Sequence, residues 1–317
     1  MILTINIVLN ANIILNLWKK SNMSIQSLSI VVPNKKCINK CKFCVSRMHD
    51  ADEYENMITG RNLYFDRYMS DFIQRLEYAR DNGCQTVILT GDTEPQQNWE
   101  FLKLFAIFNK MSKNPFKQVE MQTSGTLLDD GYLYFLRHHV GVTTIALSTA
   151  NVFNQEKNFE IQQTPEKYQF DVDYLCSRIK TYRFTLRICL NMTNTYQTKA
   201  GYPHPEDYFN KVEELGGNQI TFRKMYTSGN DTNQDHWIDS HQFEEGFFKE
   251  IATFIKTGGS LLRVLDYGQL CYSVKGMSTV VDDDCMSQIP KKDLKYLILR
   301  PDCKLYSQWD DKGSLIF

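Results

Sequence analysis

The sequence predicts an α/β fold built on a parallel sheet, and three observations carry that reading. Six short runs rich in β-branched residues fall at 28–32, 86–89, 118–122, 143–147, 184–190 and 219–225. Helical stretches lie between and after them, at 68–82, 97–112, 129–139, 165–180, 205–215 and 240–257. Each is long enough to serve as a crossover helix, so the alternation reads as repeated βα units. The third observation is composition. The chain has 317 residues with 13% aromatics, but only 16 Gly and 8 Pro, which suits one large core without low-complexity linkers. Six units are too few for a closed eight-stranded barrel. They build an open, partial barrel or a doubly wound sheet.

The elements follow in chain order. Residues 1–22 are apolar, from Ile2 and Leu3 to Leu17 and Trp18, but Asn6, Asn10, Asn12 and Asn16 interrupt them. They lack a basic start and a small-residue cleavage site, and they are too short and polar to span a membrane. Residues 1–26 are read as a leader before a start that could be Met23. The alternative is a short amphipathic helix that docks on the body or on a membrane surface. The first strand, 28–32, ends at the turn signal Pro33-Asn34. The five later strands each close a helix-to-strand unit, giving a barrel domain at 27–257. Gly258-Gly259 then punctuates the chain. Strand-like pieces at 261–265, 278–281 and 294–299, and a turn at Pro301-Asp302, make 258–317 a small β-rich C-terminal extension. Asp282-Asp283-Asp284 reads as a solvated turn.

Charge and cysteine content narrow the function. Acidic residues number 37 and basic residues 36, a net charge of −1. That balance leaves no global footprint for nucleic acid or an anionic membrane. Nine cysteines, an odd number in a chain this long, are not a disulfide framework. The expected compartment is a reducing cytoplasm.

Three of those cysteines carry the chemistry. Cys37, Cys41 and Cys44 stand as C-I-N-K-C-K-F-C directly after the first strand. The loop is too polar for a core, with Lys36, Asn39, Lys40 and Lys42 among them. Three thiolates within eight residues suit one soft metal centre, zinc or an iron–sulfur cluster. Zinc wants a fourth ligand, for which His49 is the near candidate. A cubane held by three cysteines leaves one iron open.

The C-x3-C-x2-C loop after a first strand resembles the signature of the radical S-adenosylmethionine (SAM) superfamily, and the likeness covers roughly residues 27–226. It implies a partial (βα)6 TIM-type barrel, an enzyme, and a [4Fe-4S] cluster whose open iron chelates SAM. Reductive cleavage then gives a 5′-deoxyadenosyl radical that abstracts hydrogen from a substrate. It also implies an electron donor such as flavodoxin or ferredoxin. Phe43 matches the aromatic that lies beside the adenine. Gly91-Asp92-Thr93-Glu94-Pro95 is similar to the Gly-Gly-Glu-Pro element, with Thr93 where glycine is common, and Glu94 would receive the methionine ammonium. Thr123-Ser124-Gly125 is similar to the family's Thr-Asn-Gly turn. Ser148 matches a hydroxyl partner for the ribose or carboxylate. Arg187 and Asn191 match positions that face the ribose and carboxylate.

The remaining polar and sulfur groups are read more plainly. Cys84, Cys176 and Cys189 are expected as small buried hydrophobes. Cys189 also shares strand parity with Arg187 and Asn191, so it is carried as a hydrogen donor to a substrate radical. Gln219, Thr221, Arg223 and Met225 share one parity on the sixth strand, which makes Arg223 a substrate contact if that face lines the lumen. An edge strand with a wet face is the competing reading. Cys271, Cys285 and Cys303 are spaced too widely for a local ligand loop and are expected to be three unrelated thiols, with an auxiliary cluster as the alternative. The extension would be a lid using Tyr267, Tyr272, Arg300 and Lys304. The substrate is a peptide or a small molecule such as a nucleotide. A non-enzymatic zinc- or cluster-binding module is the reading from another class.

Overall fold

The computed structural model describes residues 25–34, 36–48, 69–264, 269–282, 296–309 and 314–316. Residues 1–24 of the leader, His49, Tyr267, Asp283, Asp284 and Cys285 lie outside those residues. The described chain forms one sheet of eleven strands. These are β1 Ser27–Val31, β2 Thr86–Thr90, β3 Gln118–Thr123, β4 Thr144–Thr149, β5 Thr185–Met192, β6 Gln219–Lys224, β7 Ser260–Val264, β8 Leu270–Val274, β9 Met277–Asp282, β10 Tyr296–Leu299 and β11 Leu305–Tyr306. Their order is β11-β10-β1-β2-β3-β4-β5-β6-β9-β8-β7. The six predicted strands pair in parallel and in sequence.

The extension is β-rich, as the sequence predicts, and it is built into the sheet. β9 adds to β6 in parallel and β10 adds to β1 in parallel. Antiparallel β11 and the β8–β7 pair flank that parallel block, and the sheet is not closed. β6 is therefore an interior strand, which removes the edge-strand reading of its polar face.

Helices cover the outer face. They are α1 Met69–Asp81, α2 Trp99–Met111, α3 Asp130–Phe135, α4 Gln155–Gln162, α5 Val172–Thr181, α6 Pro205–Glu214, α7 Asn233–Ser240 and α8 Glu245–Gly258. Local chemistry sets their starts. Asn98 caps α2 by accepting from Phe101 N, and Pro205 opens α6 within a His204/Asp207 capping box. α2 then buries Phe101, Leu102, Phe105 and Ala106 on one stripe. Alternate residues of each strand meet these helices: Leu28 and Ile30, Val87 and Leu89, Val119 and Met121, Ile145 and Leu147, Leu186 and Ile188. The other parity faces inward. No described helix is long and apolar enough to cross a membrane.

One glycine fixes a turn at a strand tip. Gly125 has φ +97°, and a Cβ there would stand 2.6 Å from Phe170 and 2.9 Å from Leu147 and Leu175. Both the backbone and the space exclude a larger residue. Gly125→Ala should destabilise the protein by ~2 kcal/mol or more. That corresponds to a melting midpoint lower by at least about 3 °C, readable by thermal unfolding.

Candidate active site

The cysteine loop crosses the carboxyl ends of β1, β2 and β4, where parallel βα folds bind ligands. Backbone and side-chain bonds hold it there. Gln97 Nε2 donates to Lys36 O at 2.8 Å and Gln97 Oε1 accepts from Ile38 N at 3.1 Å. Lys40 N and Lys42 N donate to Gln162 O and Ile161 O at the end of α4. Cys44 N donates to Cys41 O, and a short 3-10 turn follows at Val45–Arg47.

The three thiols share one neighbourhood. Burial, Glu94 and Cys44 push the Cys37 thiol up to about 12. Burial foremost, then Cys44, Cys37 and Glu94, raises Cys41 well above its usual value. Burial also raises Cys44. Yet among the described residues no three His, Cys, Asp or Glu side chains stand close enough to ligate a single ion. Neighbouring thiols of this kind suit a soft metal centre, zinc or an iron–sulfur cluster.

Beside the thiols lies a buried carboxylate. Glu94, 8% exposed, follows β2. Its oxygens accept from Thr123 Oγ1 (2.6 Å), Ser124 N (3.1 and 3.2 Å), Gln96 Nε2 (3.0 Å) and Asn39 Nδ2 (3.3 Å). Every one of these donors is neutral. Asn39 Nδ2 also reaches Ser124 Oγ at 2.8 Å and Thr126 Oγ1 at 3.3 Å. Gln96 Nε2 also reaches Thr123 Oγ1 at 2.7 Å and Thr126 O at 2.5 Å. Asn34 Nδ2 donates to Thr93 Oγ1 at 2.8 Å. Thr93 does not need a positive φ, so glycine's freedom is not required at that position. Gly91 packs closely on the first strand: a Cβ there would lie 3.3 Å from Val32 N, a tight contact with backbone.

The network holds more acceptors than donors. Among the described residues, Asn39 Oδ1 and Gln96 Oε1 are buried without a partner, in residues only 1% and 2% exposed. Buried acceptors without donors cost free energy. A group carrying three N–H donors and a positive charge satisfies both them and Glu94. The site therefore fits an ammonium, and the three-thiol loop beside it fits a cluster.

Sequence reading does not find Asn39, Gln96 or Thr126. Their positions hint at them, inside the cysteine loop, after Pro95 and after the Thr-Ser-Gly turn. Phe43 packs on another residue that reading misses, Trp237 of α7, with ring centroids 6.1 Å apart. Asp92, half-buried, lies on the Glu94 loop.

The inner face of the sheet is polar. Register aligns Ser148 with Cys189 and Thr221, and Asn191 with Arg223 and Asp282. Asn191 Nδ2 donates to Ser148 Oγ at 3.0 Å, so these two predicted residues meet. Cys189 is buried there, and burial raises its thiol against the opposing pull of Arg223 and Arg187. Arg223 lies 3.5 Å from Asp282. Arg187, matched above to a cofactor carboxylate, finds its carboxylate within the chain. It sits near the start of β5, 2.6 Å from Glu120, and also donates to Gln219 Oε1 at 2.8 Å.

Elsewhere the extension's groups separate. Cys271 is on β8 and Cys303 is in the β10–β11 turn, near opposite ends of the strand order. Arg300 is buried under Tyr306, 4.4 Å from the ring, and donates to Gln308 O and Trp309 O. Tyr272 is half-buried and Lys304 exposed. A cleft of about 620 Å³ opens on the outside between α4 and α6, lined by Phe153, Lys157, Tyr196 and Asn210. It shares no lining residue with the Glu94 network.

Comparison with known proteins bears on the fold. Residues 31–169 match the radical SAM superfamily model. The fold is similar to Streptococcus suis SuiB bound to S-adenosylmethionine, with a TM-score of 0.55 and 13% identity over 90% of this chain and 60% of that one. It is also similar to native anSMEcpe with bound AdoMet, at TM-score 0.59 and 14% identity over 92% and 77%. A structure of anSMEcpe with AdoMet and Kp18Cys peptide gives TM-score 0.52 and 12% identity over 89% and 74%. At such identities the likeness concerns the fold alone, and the chain spans 60% of the length of SuiB. No curated protein sequence matches the chain.

Proposed function

We propose that the chain, whose residues 31–169 match the radical SAM superfamily model, is an enzyme that uses a [4Fe-4S] cluster and SAM to take hydrogen from a small-molecule or peptide substrate. Together the two groups supply, when bound, one-electron cleavage of the sulfonium and hydrogen abstraction. Cys37, Cys41 and Cys44 hold the cluster. The observation that carries the reading is Glu94: a buried carboxylate beside the thiols, fed by neutral donors and by an acceptor-rich network.

The chain's own residues then divide the work. Glu94 takes the ammonium of SAM, and Asn39 and Gln96 turn their free oxygens to it. Thr123 and Ser124 hold the carboxylate in place, and Gly91, Asp92 and Thr93 shape the loop that presents it. Phe43 lies beside the adenine. Ser148 and Asn191 form a hydroxyl–amide pair for the ribose or carboxylate. Arg187 holds the floor of the inner face through Glu120. Arg223, with Asp282, faces the substrate, and Cys189 is the buried thiol from which a substrate radical would regain hydrogen. In this account residues 27–257 carry the cofactor site and 258–317 shape the rim that meets substrate.

The partners follow from the surface. Lys36 and Lys40 are exposed on the cysteine loop, which suits an acidic electron donor such as flavodoxin or ferredoxin. The peptide bound in an anSMEcpe structure makes peptides the first substrates to try. Free thiols and a cluster fit a reducing cytoplasm. The test is reductive cleavage. Anaerobically reconstituted protein with dithionite and SAM should release 5′-deoxyadenosine and methionine. Zinc-loaded protein should release neither. Equal, negligible release from both would favour the non-enzymatic module.

A further inference from the structure

The two helices that hydrophobic periodicity does not reveal, α4 and α7, are the two that grip the cysteine loop. α4 does so through its last carbonyls and a Lys42–Glu160 pair at 3.3 Å. The turn that leads into α7 does so from about 180 residues away. Ser228 Oγ and Asn230 Nδ2 both donate to Met48 O, at 3.2 and 3.0 Å. Asp235, 3% exposed, fixes that loop by accepting from Ser228 N at 2.6 Å and Ser228 Oγ at 2.9 Å, and it closes a capping box with Thr232. Burial would raise the Asp235 carboxyl, but these donors hold it below its usual range.

One half-turn further on, Trp237 meets Phe43. Its ring is stacked on His241 at 4.2 Å and 13°. Trp237 and Phe43 are both only half-buried and lie outside the main core. Core packing therefore does not account for this pair. Phe43 directly precedes Cys44, so whatever fixes its ring fixes a group at the edge of the cofactor site.

We propose that Trp237 is a positioning residue for SAM: backed by His241, it holds the Phe43 ring and so sets the affinity of the site for the adenosyl end of the cofactor, while the thiols hold iron without it. This rests on the reading of the preceding subsection. The contact of one aromatic pair corresponds to about a two- to tenfold change in affinity.

The test uses anaerobically reconstituted protein, with iron content and the SAM dissociation constant as readouts. Trp237→Ala should keep the parent's iron and bind SAM about two- to tenfold more weakly, and Trp237→Phe should recover most of the loss. In a Phe43→Ala background, Trp237→Ala should add nothing further, because it acts through that ring. Trp237→Leu, which keeps apolar volume, carries the same test if the Ala variant does not fold. Unchanged SAM binding in both Trp237→Ala and Trp237→Leu would overturn the proposal. So would losses that multiply with Phe43→Ala, or a parallel loss of iron. A parent protein that takes up neither iron nor SAM would instead overturn the cofactor assignment itself.

Discussion

Cys41→Ala protein, reconstituted anaerobically, should hold well under one iron per chain where the parent holds about four, and should not cleave SAM. Cys41 is the central thiol, and its sulfur senses both Cys37 and Cys44 as well as Glu94. Two cysteines cannot hold a cubane that three hold at its minimum. The fold should survive, because the loop is tied by Lys40 N to Gln162 O and by Lys42 N to Ile161 O, bonds that do not involve the sulfur. A melting midpoint near the parent's, together with lost iron, is the expected pair of results. Retention of four irons would mean that another set of ligands holds them.

Glu94→Ala should weaken SAM binding at least about tenfold and leave the iron in place. A charge-assisted hydrogen bond contributes ~1.5–3 kcal/mol, which is that factor or more. The cysteine loop is also held through Gln97 and α4, and Asn39 Nδ2 keeps Ser124 Oγ at 2.8 Å, so the loop survives loss of its single 3.3 Å bond to the Glu94 carboxylate. Methylthioadenosine, which lacks the amino acid end of SAM, should bind parent and variant alike. That control separates loss of the ammonium contact from general damage to the pocket. Equal SAM affinity in parent and variant would place the ammonium elsewhere.

The local signals in the sequence were the ones that could be read there. Each of the six predicted strands exists, because period-two burial against a helical layer is written into consecutive residues such as Thr86–Thr90. The cysteine loop and the Glu94-Pro95 turn are also contiguous motifs. The parity argument on β5 and β6 holds because register couples Arg187, Cys189 and Asn191 to Gln219, Thr221 and Arg223. What escapes is long-range. Nothing local says that β9 joins β6 or that β10 joins β1. Asn39 matters through a carboxylate 55 residues away, and Gln96, two residues from that carboxylate, is tied only by folding to Thr123 and Thr126. Height along a strand is equally silent, and so Arg187 turns out to serve Glu120. α4 and α7 have too few apolar residues to show a stripe. Thr232-Asn233-Gln234-Asp235, a capping box, was the signal that could have found α7.

The central claim is that three thiols and Glu94 form one site for a cluster and SAM. Electron paramagnetic resonance of the reconstituted, dithionite-reduced protein tests it most directly. The account predicts the signal of a reduced [4Fe-4S] cluster, about four irons per chain, whose g-values shift when SAM is added and shift less at the same SAM concentration in Glu94→Ala. Tightly bound zinc without iron uptake, or a cluster signal that SAM leaves unmoved, would contradict it.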